Sequence, residues 1–243
     1  MPTQLFDDRY APITNEIGFL ACDAKVAHDS FLDWERRVQL DRGVSVASRA
    51  VCGSFGEKVK SLLPLTSVEH RRFLFQPTRG RWTAYFDNGW RGTDSYPVIS
   101  YLCEQIGCDG IRAVSVANER VKKVAAGWTG NYGATIFELY APTREHCSFL
   151  NTRRSVYAAN DGGRWSFDAS GEPPLDFEDV RQYEARRIRD RFTPDMLADY
   201  LAHLGIQFFE AEFYEQSPAY LVYKEGPCAP GLREYSLAEA RLG

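Results

Sequence analysis

The most enzyme-like segment of the chain is YFDNGWRGTD, which begins at Tyr85. It places Asp87, Asn88, Arg91 and Asp94 directly after an alternating, strand-like run. Carboxylates that converge in a cleft can carry out acid–base or metal-assisted hydrolysis. Turns are also rich in Asn, Gly and Asp, because these residues tolerate the backbone angles that a turn needs. The segment therefore predicts a turn first, and a carboxylate-rich hydrolase site near Asp87–Asp94 as the alternative.

The other residues that could carry chemistry form no recognised motif. The chain has four histidines, none in a metal-binding spacing such as H-E-x-x-H: His28, His70, His146 and His203. It contains no glycine-rich phosphate-binding loop and no nucleophile elbow. Of the six cysteines, Cys103 and Cys108 lie five residues apart and could form a metal or redox pair, but the second pair of ligands that a zinc site needs is missing, which favours two small packed side chains. The sequence predicts no catalytic residue, no metal, no cofactor, and free buried thiols.

The charge balance narrows the range of partners. The chain has 243 residues and a formal net charge of −4. A general electrostatic grip on nucleic acid or an anionic membrane needs a basic face, which this balance disfavours. Binding of nucleic acid through Arg120, Lys122 and Lys123 is the weaker alternative for the same reason. No signal peptide and no long apolar run is visible, so the expected location is the cytoplasm.

The strongest local charge signal is acidic. Between Asp195 and Glu225 there are six acidic residues and one basic residue, and aromatic side chains are interleaved with them. The segment IQFFEAEFY is predicted as a strand that carries Glu210 and Glu212 on one face. Such a surface is typical of an inhibitor of a basic protein, because charge steers the encounter and aromatic rings supply the anchors.

The candidate partner-binding residues combine this acidic surface with an exposed turn: Asp199, Glu210, Glu212, Phe213, Tyr214, Glu215, Asp161 and Arg164. The competing interpretation is an edge strand that its glutamates keep soluble, with the aromatic residues pointing inward. Asp161 and Arg164 are also the turn residues that the hydrolase alternative would add to its site.

Two related stretches organise the rest of the chain. RRFLFQPTRGRW begins at Arg71 and RRSVYAANDGGRW begins at Arg153, and each predicts a β-hairpin. A helix follows each hairpin, with apolar residues at the same relative positions, beginning at Val98 and at Met196. The charged stretch 176–191 holds five arginines and five acidic residues, and it is predicted as a solvated amphipathic helix inserted into the second unit.

The predicted fold class is α+β, with antiparallel hairpins that are each covered by the following helix. Residues 1–66 are expected to form an N-terminal strand–helix segment. Residues 67–150 would form the first hairpin–helix unit, and residues 151–243 the second, with the charged insertion and a C-terminal tail. Matching hairpins, turns, caps and apolar stripes in the same order favour an internal duplication.

The segments RRSVYAANDGGRWSFDASGEPPLDFE and RDRFTPDMLADYLAHLGI resemble uncharacterised bacterial proteins, over about residues 71–214. Some neighbouring types are immunity proteins that neutralise secreted toxins. The resemblance implies a bacterial, cytoplasmic α+β protein that binds another protein, and it transfers no functional residue. The resulting hypothesis is a non-enzymatic, immunity-type inhibitor that occludes the active or substrate-binding surface of a toxin. The expected partner is a basic domain of that toxin.

Overall fold

The computed structural model describes residues 8–119, 122–124, 127–142, 151–214 and 217–241. The predicted fold class is confirmed, because the chain is a mixed α+β structure built around one large antiparallel sheet. The described strands are β1 Glu16–Leu20, β2 Ser45–Val51, β3 Leu65–Thr66, β4 Arg72–Pro77, β5 Thr83–Asp87, β6 Gly110–Val116, β7 Lys122–Val124, β8 Gly127–Thr129, β9 Ala134–Tyr140, β10 Thr152–Asp161, β11 Arg164–Gly171, β12 Ala219–Glu225 and β13 Glu234–Tyr235. The described helices are α1 Ala24–Gln39, α2 Phe55–Lys60, α3 Tyr96–Ile106, α4 Pro194–His203 and α5 Leu237–Ala240.

Nine strands form the large sheet, in the order β11-β10-β9-β6-β1-β5-β4-β12-β2. The C-terminal strand β12 lies between β4 and β2, so that Tyr220 pairs with Phe75 on one side and with Ala50 on the other. The three segments expected from the sequence therefore contribute to one continuous sheet. Within the described ranges, no helix has the length and apolarity needed to cross a membrane.

The sheet carries a hydrophobic core on each face. Side chains alternate along β4, so that Phe73 and Phe75 enter one core and Leu74 enters the other. Residues of α1 and α3 belong to the core of Phe73 and Phe75, whereas residues of α2 and α4 belong to the core of Leu74. The two helices that the repeat pattern compares therefore lie on opposite faces of the sheet.

Local signals explain where these two helices begin and end. The Thr193 hydroxyl accepts a hydrogen bond from the Met196 amide, and Pro194 occupies the first turn of α4. Helix α3 ends at Gly107, which adopts a left-handed conformation with φ of 76° that glycine tolerates without a steric penalty.

The elements that pack on each hairpin differ from those that the predicted hairpin–helix units contain. Helix α1 packs against β4 and β5, while α3 packs against β1, β6 and β9. The turn Ile188–Asp190 packs against β10 and β11, and α4 packs against β9. The hairpins are thus covered mainly by elements other than the helix that follows each of them.

The segment IQFFEAEFY is not a strand, which corrects the sequence prediction. Phe208 and Phe209 form a turn, the residues on either side of them are irregular, and Ala211–Phe213 forms a 3-10 helix. Phe208 and Phe209 are neighbours in sequence and both are buried, whereas a strand would direct them to opposite faces. Burial of both rings in the core of α2 and α4 favours the turn over the alternating pattern.

The charged stretch 176–191 is not an α-helix, which corrects a second prediction. It forms two 3-10 turns, Gln182–Glu184 and Ile188–Asp190. Glu178 is fixed by a buried ion pair in which Arg154 Nη2 donates to Glu178 Oε2 at 2.6 Å. The stretch is therefore fastened to β10 through one carboxylate, and it is not a solvated helix held together by local ion pairs.

Candidate functional site

Asp87 is the centre of a polar cluster at the end of β5. Its side chain is fully buried, and its carboxylate accepts hydrogen bonds from the amides of Gly89 and Asp94, both at 3.0 Å. The Tyr85 hydroxyl donates to the same carboxylate at 3.2 Å. These contacts fold residues 88–94 around Asp87, so the predicted turn and the predicted carboxylate site are the same structure.

His70 completes a histidine–aspartate pair with Asp87. The His70 Nδ1 atom lies 3.1 Å from Asp87 Oδ1, and the imidazole is 30% exposed. Burial of the ring opposes protonation, but the hydrogen bond and the negative charge of Asp87 outweigh it and raise the pKa of His70 above its usual value. An aspartate at Nδ1 fixes the ring orientation and leaves Nε2 as the atom that can accept or donate a proton.

Gly89 makes room for this ring. A Cβ atom at position 89 would lie 2.6 Å from His70 Nε2, and it would also collide with the Gly92 carbonyl oxygen. Because only glycine avoids both collisions, the backbone at position 89 can pack directly against the imidazole.

An open cleft of about 320 Å³ lies beside the pair. His70, Asp94, Arg91 and Glu16 contribute to its lining. Burial, together with repulsion from Glu16 and Asp87, raises the pKa of the Asp94 carboxyl. The cleft therefore brings an imidazole, a carboxyl group with a raised pKa and a guanidinium into one polar space.

Glu16 connects the cleft to the centre of the sheet. Its carboxylate accepts from the Ser95 amide at 2.7 Å and from Arg112 Nε at 2.9 Å. Arg112 also contacts Glu138, whose Oε2 accepts from the Tyr140 hydroxyl at 2.7 Å. Most of these donors and acceptors satisfy one another, so the network holds the start of α3 in place and leaves His70 as the group best placed for chemistry.

Asn88 has a structural role. Its side-chain oxygen accepts from the amides of Arg71 and Arg72, at 2.8 and 3.0 Å, and its amide donates to the Pro64 carbonyl at 2.8 Å. Of the predicted hydrolase residues, Arg91 and Asp94 line the cleft, and Asp87 is buried in contact with His70. Asp161 and Arg164 lie at the tip of the β10–β11 hairpin, and β1, β6 and β9 separate β10 from β5 in the sheet.

Sequence reasoning missed His70, Glu16 and Arg112. A usable signal was present in the β4–β5 hairpin, in which Phe73 pairs with Asp87. Extending that antiparallel register past the end of β4 brings His70 near the turn that follows Asp87. Glu16 and Arg112 come from β1 and β6, and their proximity depends on strand pairings between distant parts of the chain.

A second candidate site is an acidic groove between α4 and the segment after it, with a volume of about 650 Å³. Its lining residues come from one face of α4 and from the following turn: Asp195, Ala198, Asp199, Ala202, Gln207, Phe208, Phe209 and Glu210. The helix positions follow the spacing of three and four residues that defines one helical face. Three carboxylates and an apolar floor meet here, and no lysine or arginine is among the lining residues.

The groove includes only some of the predicted partner-binding residues. Asp199 and Glu210 line it, whereas Glu212 is exposed outside its lining. Phe213 and Tyr214 are each 1% exposed and belong to the core, so they are not the surface anchors that the hypothesis required. Asp161 and Arg164 are exposed at the hairpin tip. Glu215 and Arg120 lie outside the described residues.

Comparison with known proteins adds no relative from which a role could be transferred. No family model, no curated protein and no solved structure matches the chain. Among the described residues, no group of three or more His, Cys, Asp or Glu side chains is arranged to hold a metal ion. Any functional conclusion therefore depends on the two sites themselves.

Proposed function

We propose that the chain is a non-enzymatic binding protein of the immunity-inhibitor type, which holds a basic segment of a toxin-like protein in its acidic groove. The observation that carries the proposal is the convergence of Asp195, Asp199 and Glu210 around an apolar floor that includes the accessible Ala198 and Ala202 beside Phe209. Occupation of the groove by a loop of the partner would cover the partner surface that carries that loop.

Charge complementarity defines the occupant. Three carboxylates without a lining lysine or arginine attract a segment that contains lysine or arginine. The floor adds a requirement for an apolar side chain, because burial of apolar surface supplies the affinity that exposed ion pairs do not. A segment that alternates basic and apolar residues satisfies both conditions.

Charge reversal in the groove tests the proposal. We expect the double variant Asp199→Lys and Glu210→Lys to weaken binding of a fluorescent peptide of alternating lysine and leucine by about tenfold or more, which corresponds to about 1.4 kcal/mol. Fluorescence anisotropy at two salt concentrations measures this loss, and wild-type binding should weaken at the higher salt concentration because surface charges are screened.

The matched control carries the same change of net charge on the other face of the sheet. Asp33→Lys with Asp41→Lys alters two exposed carboxylates in and after α1. This control should bind the peptide like the wild type, apart from a small nonspecific decrease. Equal losses in the two double variants would show that the peptide senses net charge only, and the groove assignment would then be abandoned.

The second candidate function is a hydrolase that uses His70 as a general base. The observation that favours it is the His70–Asp87 pair at 3.1 Å beside an open cleft. In this mechanism, Asp87 orients the ring, Nε2 takes a proton from a water molecule, and the water attacks an ester or phosphodiester bound in the cleft. Arg91 would then offset negative charge on the substrate.

The His70→Gln variant tests this candidate and has a defined pH signature. Since the pKa of His70 is raised in the folded state, the pair stabilises the fold fully below the unfolded value of about 6.5. That contribution disappears as the pH rises through the folded value. We therefore expect the stability difference between wild type and His70→Gln, measured by urea unfolding, to be larger at pH 6 than at pH 9.

The catalytic part of this candidate needs its own measurement. Chromogenic carboxylic esters and phosphodiesters should be hydrolysed by the wild type, and His70→Gln should lose about 10²-fold or more of that activity. If the pH signature is present but no substrate is turned over faster by the wild type than by the variant, the pair is structural and the enzyme candidate is excluded for these substrates.

A further inference from the structure

Three cysteines from different parts of the chain meet at one end of the sheet. Cys22 follows β1, Cys103 lies in the last turns of α3, and Cys108 precedes β6. All three belong to the core that α1 and α3 cover. Sequence reasoning considered only Cys103 and Cys108, because the pairing of β1 with β6 is needed to bring Cys22 to them.

The pairing of β1 with β6 brings Cys22 close to Cys108 at the end of the two strands. Leu20 pairs with Gly110, and the Ala21 amide then donates to the Asp109 carbonyl at 2.9 Å. β1 ends at Leu20, and just beyond it the Cys22 thiol is hydrogen-bonded to the Cys108 sulfur. Two thiols within hydrogen-bonding reach of each other are close enough for a disulfide to form after a small side-chain movement.

Cys103 supports this pair from inside the core. Its sulfur lies where a Cβ atom at Gly110 would project, and the Cys108 amide donates to the Cys103 carbonyl at 3.2 Å. Cys103 is buried, whereas Cys22 and Cys108 are partly exposed. A small oxidant therefore reaches the pair of Cys22 and Cys108 more readily than it reaches Cys103.

The three thiols differ in acidity. Hydrogen bonds from the Cys103 and Cys22 thiols to the Cys108 sulfur lower the pKa of Cys108. The pKa values of Cys22 and Cys103 are raised, first by their hydrogen bonds to Cys108 and then by burial. Cys108 is the one thiol that is hydrogen-bonded to both others, and it is partly exposed, so it is the best placed of the three to react as a thiolate.

We propose that Cys108 is a hydroperoxide-reactive site and that Cys22 is its resolving partner. The Cys108 thiolate attacks one peroxide oxygen, the O–O bond breaks, and uptake of a proton gives a sulfenic acid and the first water. The Cys22 sulfur then attacks the sulfenic sulfur, the S–O bond breaks, and the second water leaves with the thiol proton. Two thiols lose two electrons in total, and hydrogen peroxide is reduced to two waters.

Thiol reactivity in the unmodified protein tests the nucleophile. A thiol with the usual pKa of about 8.5 is less than about 1% ionised at pH 6. We expect iodoacetamide at pH 6 to alkylate Cys108 about tenfold or more faster than the exposed Cys52 and Cys228, as measured by peptide mass spectrometry. Equal rates, or faster modification of the two exposed cysteines, would overturn the assignment of Cys108.

Oxidation of the reduced, full-length chain tests the partner. One equivalent of hydrogen peroxide should remove two of the six free thiols and yield a peptide linked through Cys22 and Cys108. In Cys22→Ser the sulfenic acid at Cys108 should persist and be trapped by dimedone, whereas Cys228→Ser should behave like the wild type. A linkage between Cys103 and Cys108 in the wild type, or no linkage at all, would overturn the role of Cys22.

Discussion

Replacing Arg154 with methionine is expected to destabilise the fold by about 3–5 kcal/mol, because removal of one partner leaves the other charge buried without compensation. The Arg154 side chain is 4% exposed and that of Glu178 is fully buried. Two hydrogen bonds join them, at 2.6 and 2.8 Å, and the Tyr183 hydroxyl donates to the same carboxylate at 2.8 Å. Urea unfolding monitored by circular dichroism measures the loss.

The neighbouring arginine provides the control. Arg153 pairs with Glu172 at 3.0 Å, but both side chains are about one-third exposed. Solvent screens such a pair, so Arg153→Met should cost no more than about 1 kcal/mol. If the two methionine variants were equally stable, the Arg154–Glu178 pair would contribute no more than a surface ion pair, contrary to its burial.

Acid should diminish the difference between wild type and Arg154→Met. Burial opposes ionisation of Glu178, but the hydrogen bonds from Arg154, Leu175 and Tyr183 outweigh it and lower the pKa of this carboxyl. A lowered folded-state pKa contributes stability above the unfolded value of about 4.3, and that contribution is lost as the pH falls through the folded value. The same unfolding experiment at pH 7 and near pH 3 checks this direction.

Replacing Tyr214 with alanine is expected to cost about 3–5 kcal/mol, the range for removal of a large aromatic side chain from a core. The ring stacks on Phe55 with centroids 4.6 Å apart, and its hydroxyl donates to the Phe208 carbonyl at 2.9 Å. A thermal or urea unfolding curve should show the loss in the isolated protein, without any partner present.

Tyr214→Phe separates the ring from the hydroxyl. This variant keeps the stacking and removes one hydrogen bond, so we expect a cost of about 1 kcal/mol. Glu210→Ala, at an exposed position of the groove, should change stability by no more than about 0.5 kcal/mol. A Tyr214→Ala protein with unchanged stability and weaker peptide binding would instead restore the surface-anchor interpretation.

Local chemistry made part of this fold predictable. The segment AYLVYKE was predicted as a strand because apolar, β-branched and aromatic residues favour strands. Its bounds agree with those of β12, Ala219–Glu225. Helix α4 follows from the Thr193 cap and Pro194. The segments at 176–191 and 206–214 were mispredicted, because a buried ion pair and a shared core determine their conformation and neither is visible in a local pattern.

The candidate sites were predictable to different degrees. Asp87 and Asp94 were identified because they follow a recognisable strand, and Asp199 and Glu210 because acidic residues accumulate near them. His70 and Cys22 were not identified, because each meets its partner only through strand register. A pattern within one segment reports the types of side chain available, whereas their convergence depends on the order of strands in the sheet.

The position of β12 has a consequence for synthesis of the protein. β2 pairs with β12, and Val51 lies opposite Ala219. Because β12 is so much later in the chain, it emerges from the ribosome long after β2. Until then, β2 and one side of β4 expose unpaired backbone amides and carbonyls, which can pair with strands of other chains. A chain that ends before Ala219 would retain these open edges permanently, and we expect it to aggregate. A chain that extends beyond Glu225, the last residue of β12, should stay dispersed.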